Sequence, residues 1–289
     1  MALRCENLNQ EKSKKDFSIT YCFTISILLI FINLSIDIII RIFMGSSNMT
    51  NPYIRGFINS MADIVIIIYV CRKKEFTIIN LFSFKNNNRI SIIAILLVII
   101  GFRIIFSEVS NILEFIIPRS NESYNYNNCI FGGKISLLGS VLYVGVFAPI
   151  LEEILYRGVI LTGLLRNYSK KVSVIVSSLI FAAMHFNIYI LITAFIMGLF
   201  LSWIRLQGDS IIECIIAHSV YNLLPRILSY IFNIKIKGFN TDIGNVVQFQ
   251  PLWFIILGFN FLLLGVVILK NYSKNKHILD STNNINTQI

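Results

Sequence analysis

Apolar residues in this chain come in long runs, neither in strict alternation nor in a single amphipathic stripe. Eight such runs are separated by short polar stretches: Phe17–Phe43, Phe57–Cys71, Ile90–Phe106, Ile135–Leu165, Val172–Phe186, Ile188–Ile204, Ile211–Phe232 and Leu252–Leu269. A helix needs about 20 apolar residues, in a range of about 17–25, to cross a bilayer. The pattern therefore predicts an all-α, polytopic membrane bundle with about eight transmembrane helices. The second, fifth and sixth runs are short for a span, and the fourth is long enough to continue past the membrane face. The polar start ends at Asp16. The run that follows is too long for a signal-peptide core and has no small-residue cleavage site, so it reads as a retained first span.

This divides the chain into a cytoplasmic segment at 1–16, N-terminal membrane helices at 17–134, and a membrane core at 135–232. An outer loop and last helix occupy 233–270, and a polar tail 271–289. The Asn/Tyr-rich stretch Ser120–Asn128 and the Asn- and Lys-rich tail after Lys270 read as loop or disorder. There is no repeat at a fixed period, and no pair of similarly broken helices of the kind that mark many transporters.

Composition narrows the class. Of 289 residues 55% are hydrophobic and only 14% charged, against about 25% charged in a soluble globular chain. The mean hydropathy is +0.72. The net charge of +10 does not form a stripe with interleaved aromatics, which argues against a nucleic-acid partner. It sits in clusters between the apolar runs, as in proteins oriented by lysine and arginine. With a cytoplasmic N-terminus and eight spans, the inside segments hold 16 Lys and Arg and the outside segments 6, with Arg103, Arg157 and Arg226 inside spans. Both termini are therefore expected in the cytoplasm. The five cysteines are scattered without a CxxC pair, so neither a disulfide framework nor a zinc ribbon is indicated.

Charged groups in mid-bilayer cost at least about 2.5–3.5 kcal/mol each and persist when they have a partner or a task. The fourth run carries Glu152, Glu153 and Arg157. Glu153 and Arg157 are i, i+4 with the acid first, the better order for a helical pair, and can neutralise each other. Glu152 has no such counter-charge. Two of the three histidines also fall in apolar runs: His185, one turn after Phe181, and His218, one turn before Asn222. Three spans thus each bring polar groups to one stripe. Together they supply a carboxylate as general base, a histidine to share a water, and a histidine and an amide to hold an oxyanion. The zinc-protease motif HExxH is absent. Asp37 and Asp63 read as lying near a membrane face or in helix-packing pairs; Tyr156 and Tyr221 as packing beside the stripes; Glu213 and Cys214 as outside the chemistry.

Glu-Glu-x-x-x-Arg at 152–157, Phe-x-x-x-His at 181–185 and His-x-x-x-Asn at 218–222, in that order, resemble the motifs of the CPBP family. This is the CAAX protease and bacteriocin-processing (Abi) group, type II CAAX prenyl endopeptidase-like. The resemblance covers roughly Leu138–Leu228. It implies an intramembrane endopeptidase whose cavity opens toward the cytoplasm. Glu152 would be the catalytic base, His185 would position the water, His218 and Asn222 would stabilise the oxyanion, and Glu153 and Arg157 would support the site. The family is described both as metal-dependent and as metal-free. The metal-free mechanism is the favoured expectation, since Asn222 suits an oxyanion donor better than a zinc ligand. Zinc on Glu152, His185 and His218 is the alternative.

The implied partner is a membrane-associated peptide or protein, either a bacteriocin- or pheromone-type precursor or a prenylated CAAX-like tail. The Ile-, Asn- and Lys-heavy composition suggests an AT-rich genome and a bacterial plasma membrane, favouring the first. A non-catalytic immunity or scaffold protein of the same fold is the main competing reading, and a proton-carrying transporter is a third.

Overall fold

The computed structural model describes residues 17–44, 52–74, 89–118, 141–208, 211–241 and 246–286, and no strand occurs among them. The elements in chain order are α1 (Ile19–Met44), α2 (Pro52–Lys74), α3 (Arg89–Ile116), α4 (141–164), α5 (Lys170–Ala183), α6 (Ile188–Gly208), α7 (Ile212–Arg226, prolonged by a π turn over Ile227–Ile231) and α8 (Leu252–Asn286). Each expected apolar run therefore meets a helix. Of these helices, α1, α3, α6 and α8 contain stretches long and apolar enough to cross a membrane: Ile19–Phe43, Arg89–Ile116, Ile188–Gly208 and Leu252–Tyr272. Large apolar side chains remain uncovered on their outer faces, with Phe31 at 63%, Ile42 at 72% and Leu252 at 71% exposed. Apolar surface that extensive fits lipid rather than water.

Three expectations change. The fourth run is not one regular α-helix. Its described part winds as π over Val141–Phe147, α over Ala148–Glu153, π over Ile154–Leu161 and α over Thr162–Leu164. Pro149 lacks the N–H that an α-turn would use, and the Thr162 hydroxyl donates to the Arg157 carbonyl five residues back at 3.0 Å. The tail after Lys270 is helical to Asn286 instead of loop; from Asn271 onward it contains neither proline nor glycine to stop α8. Among the described residues Asp63 has no hydrogen-bonded or ion-paired partner, which speaks against the helix-packing alternative for it. The segments 1–16 and Ser120–Asn128 lie outside the described residues.

The chain divides into two units, one of 1–83 and 116–219, the other of 84–115 and 220–289. In the first, Cys22, Ile25 and Leu29 of α1 recur at helical spacing and pack with Ala62, Ile66 and Val70 of α2 and with Leu155, Val159 and Ile160 of α4. The start of α1 is tied to the turn after α4. Asn167 donates to the Phe17 carbonyl at 2.6 Å, and the Ile19 amide donates to the Tyr168 hydroxyl at 3.2 Å. The Phe17 ring fills the space over Gly163, where an added Cβ would come within 2.3 Å of it.

In the second unit α3 and α8 approach closely at glycines: a Cβ on Gly101 would meet the Gly258 carbonyl at 2.7 Å. Small residues at such contacts let membrane helices come together. The connection before α8 is pinned to α3, with Asn111 donating to the Gly238 carbonyl at 2.8 Å and the Gln250 amide to Glu108 at 2.9 Å. Gly238 has φ +70°, a backbone conformation that favours glycine.

Candidate active site

The site begins with two fully buried charges on α4. Glu153 and Arg157 are both 0% exposed and meet at 2.9 Å, Nη1 to Oε1. Two further contacts hold the guanidinium: Nη2 donates to the Gly198 carbonyl of α6 at 3.3 Å, and the group lies over the Phe181 ring at 4.4 Å. Gly198 suits this place because α5 runs close beside it; a Cβ there would come within 3.0 Å of Ser178 Cβ. An ion pair in a low-dielectric interior keeps its charges when each side is further hydrogen-bonded, and here α4, α5 and α6 each contribute.

His218 of α7 joins the pair. Its Nδ1 lies 2.8 Å from Glu153 Oε1. The carboxylate accepts, so Nδ1 carries the hydrogen and Nε2 is the nitrogen left for chemistry. That atom faces Glu152, 3.8 Å from Oε2. His185 follows the end of α5, and its Nδ1 lies 2.9 Å from the Phe181 carbonyl. A carbonyl can only accept, so again Nε2 remains available. Phe181 is the common wall, edge-on to Tyr156 at 5.1 Å, to His185 at 4.8 Å and to His218 at 5.9 Å.

Glu152 is the less constrained acid. Its side chain is 27% exposed, and it lines a cavity of about 780 Å³ together with Tyr156 and His185. Cavities of about 300–1,000 Å³ take a small-molecule-sized ligand. The sequence-predicted residues thus separate into a buried support of Glu153, Arg157 and His218 and a cavity face of Glu152 and His185. Asn222 stands one turn beyond His218 on α7 and belongs to the second unit. For the zinc alternative, no group of three His, Cys, Asp or Glu side chains among the described residues is arranged to hold a metal ion.

Sequence reasoning missed two members. Gly198 supplies a carbonyl to Arg157, and nothing in an apolar run signals a backbone role. Asp63 of α2 lines the same cavity as Glu152; its signal was an intramembrane acid without a local partner. Asp37, by contrast, pairs with Arg41 on its own helix at 3.6 Å. Tyr221 does pack, its ring 5.2 Å beneath Arg103 within the second unit.

Residues 134–224 match the family model described as Type II CAAX prenyl endopeptidase Rce1-like. That segment is similar to the CPBP, or CAAX protease, family. This Rce1-like core spans about a third of the chain and contains Glu152, Glu153, Arg157, His185, His218 and Asn222. It points to a protease acting in a membrane. No curated protein and no solved structure matches the chain.

Proposed function

We propose that the Rce1-like core hydrolyses a peptide bond of a membrane-associated peptide or protein with a water activated by Glu152. The observation that carries this reading is the partly exposed Glu152 carboxylate on a cavity wall, beside two histidines whose Nδ1 atoms are already committed. In the proposed step, Glu152 takes a proton from water as the oxygen adds to the substrate carbonyl. His185 Nε2 holds that water. His218, when both its nitrogens carry hydrogens, and the Asn222 amide donate to the oxyanion. Collapse breaks the C–N bond, and the proton on Glu152 passes to the departing amine. Glu153 and Arg157 keep His218 in place. The metal-free route is preferred because Asn222 suits an oxyanion donor better than a zinc ligand.

We also propose eight crossings of a bacterial plasma membrane with both termini cytoplasmic. The 16-to-6 distribution of Lys and Arg supports it, as does the tie between residues 17–19 and 167–168, which puts two of the inside segments at one level. In that topology the cavity faces outward. At about 1.5 Å per residue His185 lies about 22 Å from Lys170, beyond the middle of a core about 30 Å thick. Asp37 and Asn187 of the same lining lie further still. The family resemblance implies a cytoplasmic opening; this chain's basic residues favour the other face. A bacteriocin- or pheromone-type precursor suits such an opening better than a prenylated tail.

The test is cleavage of a peptide panel by purified protein in detergent, wild type beside Glu152→Ala and His185→Ala, each with and without a chelator. Loss of a general base costs about 10²–10⁴ in rate, so both variants are expected to fall at least about 100-fold while chelator leaves the wild type active. Cleavage that survives both substitutions would sink the site. Inhibition by chelator, reversed by zinc, would sink the metal-free route, and absence of any cleavage would favour the immunity or scaffold reading.

A further inference from the structure

The cavity has a second wall, which the hydrolytic step does not use. It comes from α1 and α2 and presents Asn33, Asn59, Ser60 and Asp63 to the space that Glu152 and His185 also face. Asp63 is its unexplained member. No hydrogen bond or ion pair reaches it from the other described residues, whereas Asp37 has Arg41 and Glu153 has Arg157 and His218. The carboxylate of Glu152 is within its electrostatic reach and offers it no counter-charge. Among the described residues, no lysine or arginine stands in this lining. The same wall carries a second unmet acceptor, the Asn33 side-chain oxygen, which is buried and has no donor among the described residues.

An acid in a membrane interior without a partner is costly and marks a pathway or a binding place. Polar groups without protein partners on one wall ask for a ligand that brings donors, and a buried carboxyl beside a second acid is best held as a carboxylate when that ligand also brings a cation. Building on the peptidase reading, we infer that Asp63 is a specificity residue that receives a positively charged side chain of the peptide substrate. Asn33 accepts a hydrogen bond from the same segment. Glu152 stays with the water. The substrate class is therefore a peptide carrying a lysine or arginine within cavity reach of the scissile bond.

Binding tests this without turnover. Fluorescent peptides identical except for lysine or norleucine at successive positions are titrated by anisotropy against Glu152→Gln protein in detergent, alone and combined with Asp63→Asn or Asp63→Glu. At one position lysine is expected to bind at least about tenfold tighter than norleucine, as desolvated charge pairs at interfaces do. Asp63→Asn should remove the difference and Asp63→Glu should keep most of it, with melting temperatures showing that each variant is folded. Equal affinity at every position, as a neutral Asp63 carboxyl or a purely structural role would give, overturns the inference. So does a lysine preference that survives Asp63→Asn, or no binding of either peptide. Hydrolysis plays no part in these readings, so a failed protease assay and a failed specificity assay remain separate results.

Discussion

Arg157 illustrates how a charge is kept inside a membrane protein. It is fully buried, and its guanidinium is divided among the Glu153 carboxylate, the Gly198 carbonyl and the Phe181 ring. Removing one partner of a buried pair leaves the other uncompensated, at a cost of about 3–5 kcal/mol. Arg157→Ala is expected to lower stability by about that much, and denaturant unfolding in detergent checks it. Glu152→Ala should differ, losing cleavage at nearly wild-type stability, because a side chain that reaches the cavity leaves no orphaned charge behind. The i, i+4 spacing of Glu153 and Arg157 made their pairing readable in sequence. The bond from Glu153 to His218 was not, because it joins residues 65 positions apart and depends on how α7 packs on α4. The same limit hid Asp63: a lone acid in an apolar run announces that it needs a reason, and only the tertiary arrangement supplies the cavity.

At the level of elements, the apolar runs located the helices but could not report their winding. Both π stretches of α4 flank the short α segment that carries Glu152 and Glu153, and such π turns recur at functional sites. Hydrophobicity is blind to this, because eight consecutive buried residues from Ile154 to Leu161 read as one apolar run under either winding. The α5–α6 contact has a similar character. Its determinant is the missing side chain of Gly198, with Ser178 pressed against it. Gly198→Val is expected to push α6 from α5, displace the carbonyl that Arg157 uses, and lower both melting temperature and cleavage. Overpacking of this kind typically costs about 1–3 kcal/mol. A melting curve unchanged from wild type would show that the two helices are not held at that distance.

For the whole molecule the open question is which face admits substrate. In a cysteine-free background, Asn187→Cys is expected to react with a membrane-impermeant maleimide on intact cells, and Arg166→Cys only after the cells are permeabilised. The opposite pattern would invert the proposed topology and turn the cavity to the cytoplasm. Lysine and arginine counts made an orientation legible; the position of the cavity along the helices was not, since it depends on where α1, α2, α4 and the end of α5 leave space. The seat of α1 carries a consequence in time. Phe17 rests over Gly163, and the Ile19 amide is met by a hydroxyl 149 positions later in the chain. Chains are made from the N-terminus at about 5–20 residues per second, so the first helix to reach the bilayer finds its socket only after three further helices have followed. Until then α1 can hold no final place, and the wall that bears Asn33 cannot close on Glu152. The cavity is thus complete only once the turn after α4 and the end of α5, which brings His185, have both left the ribosome.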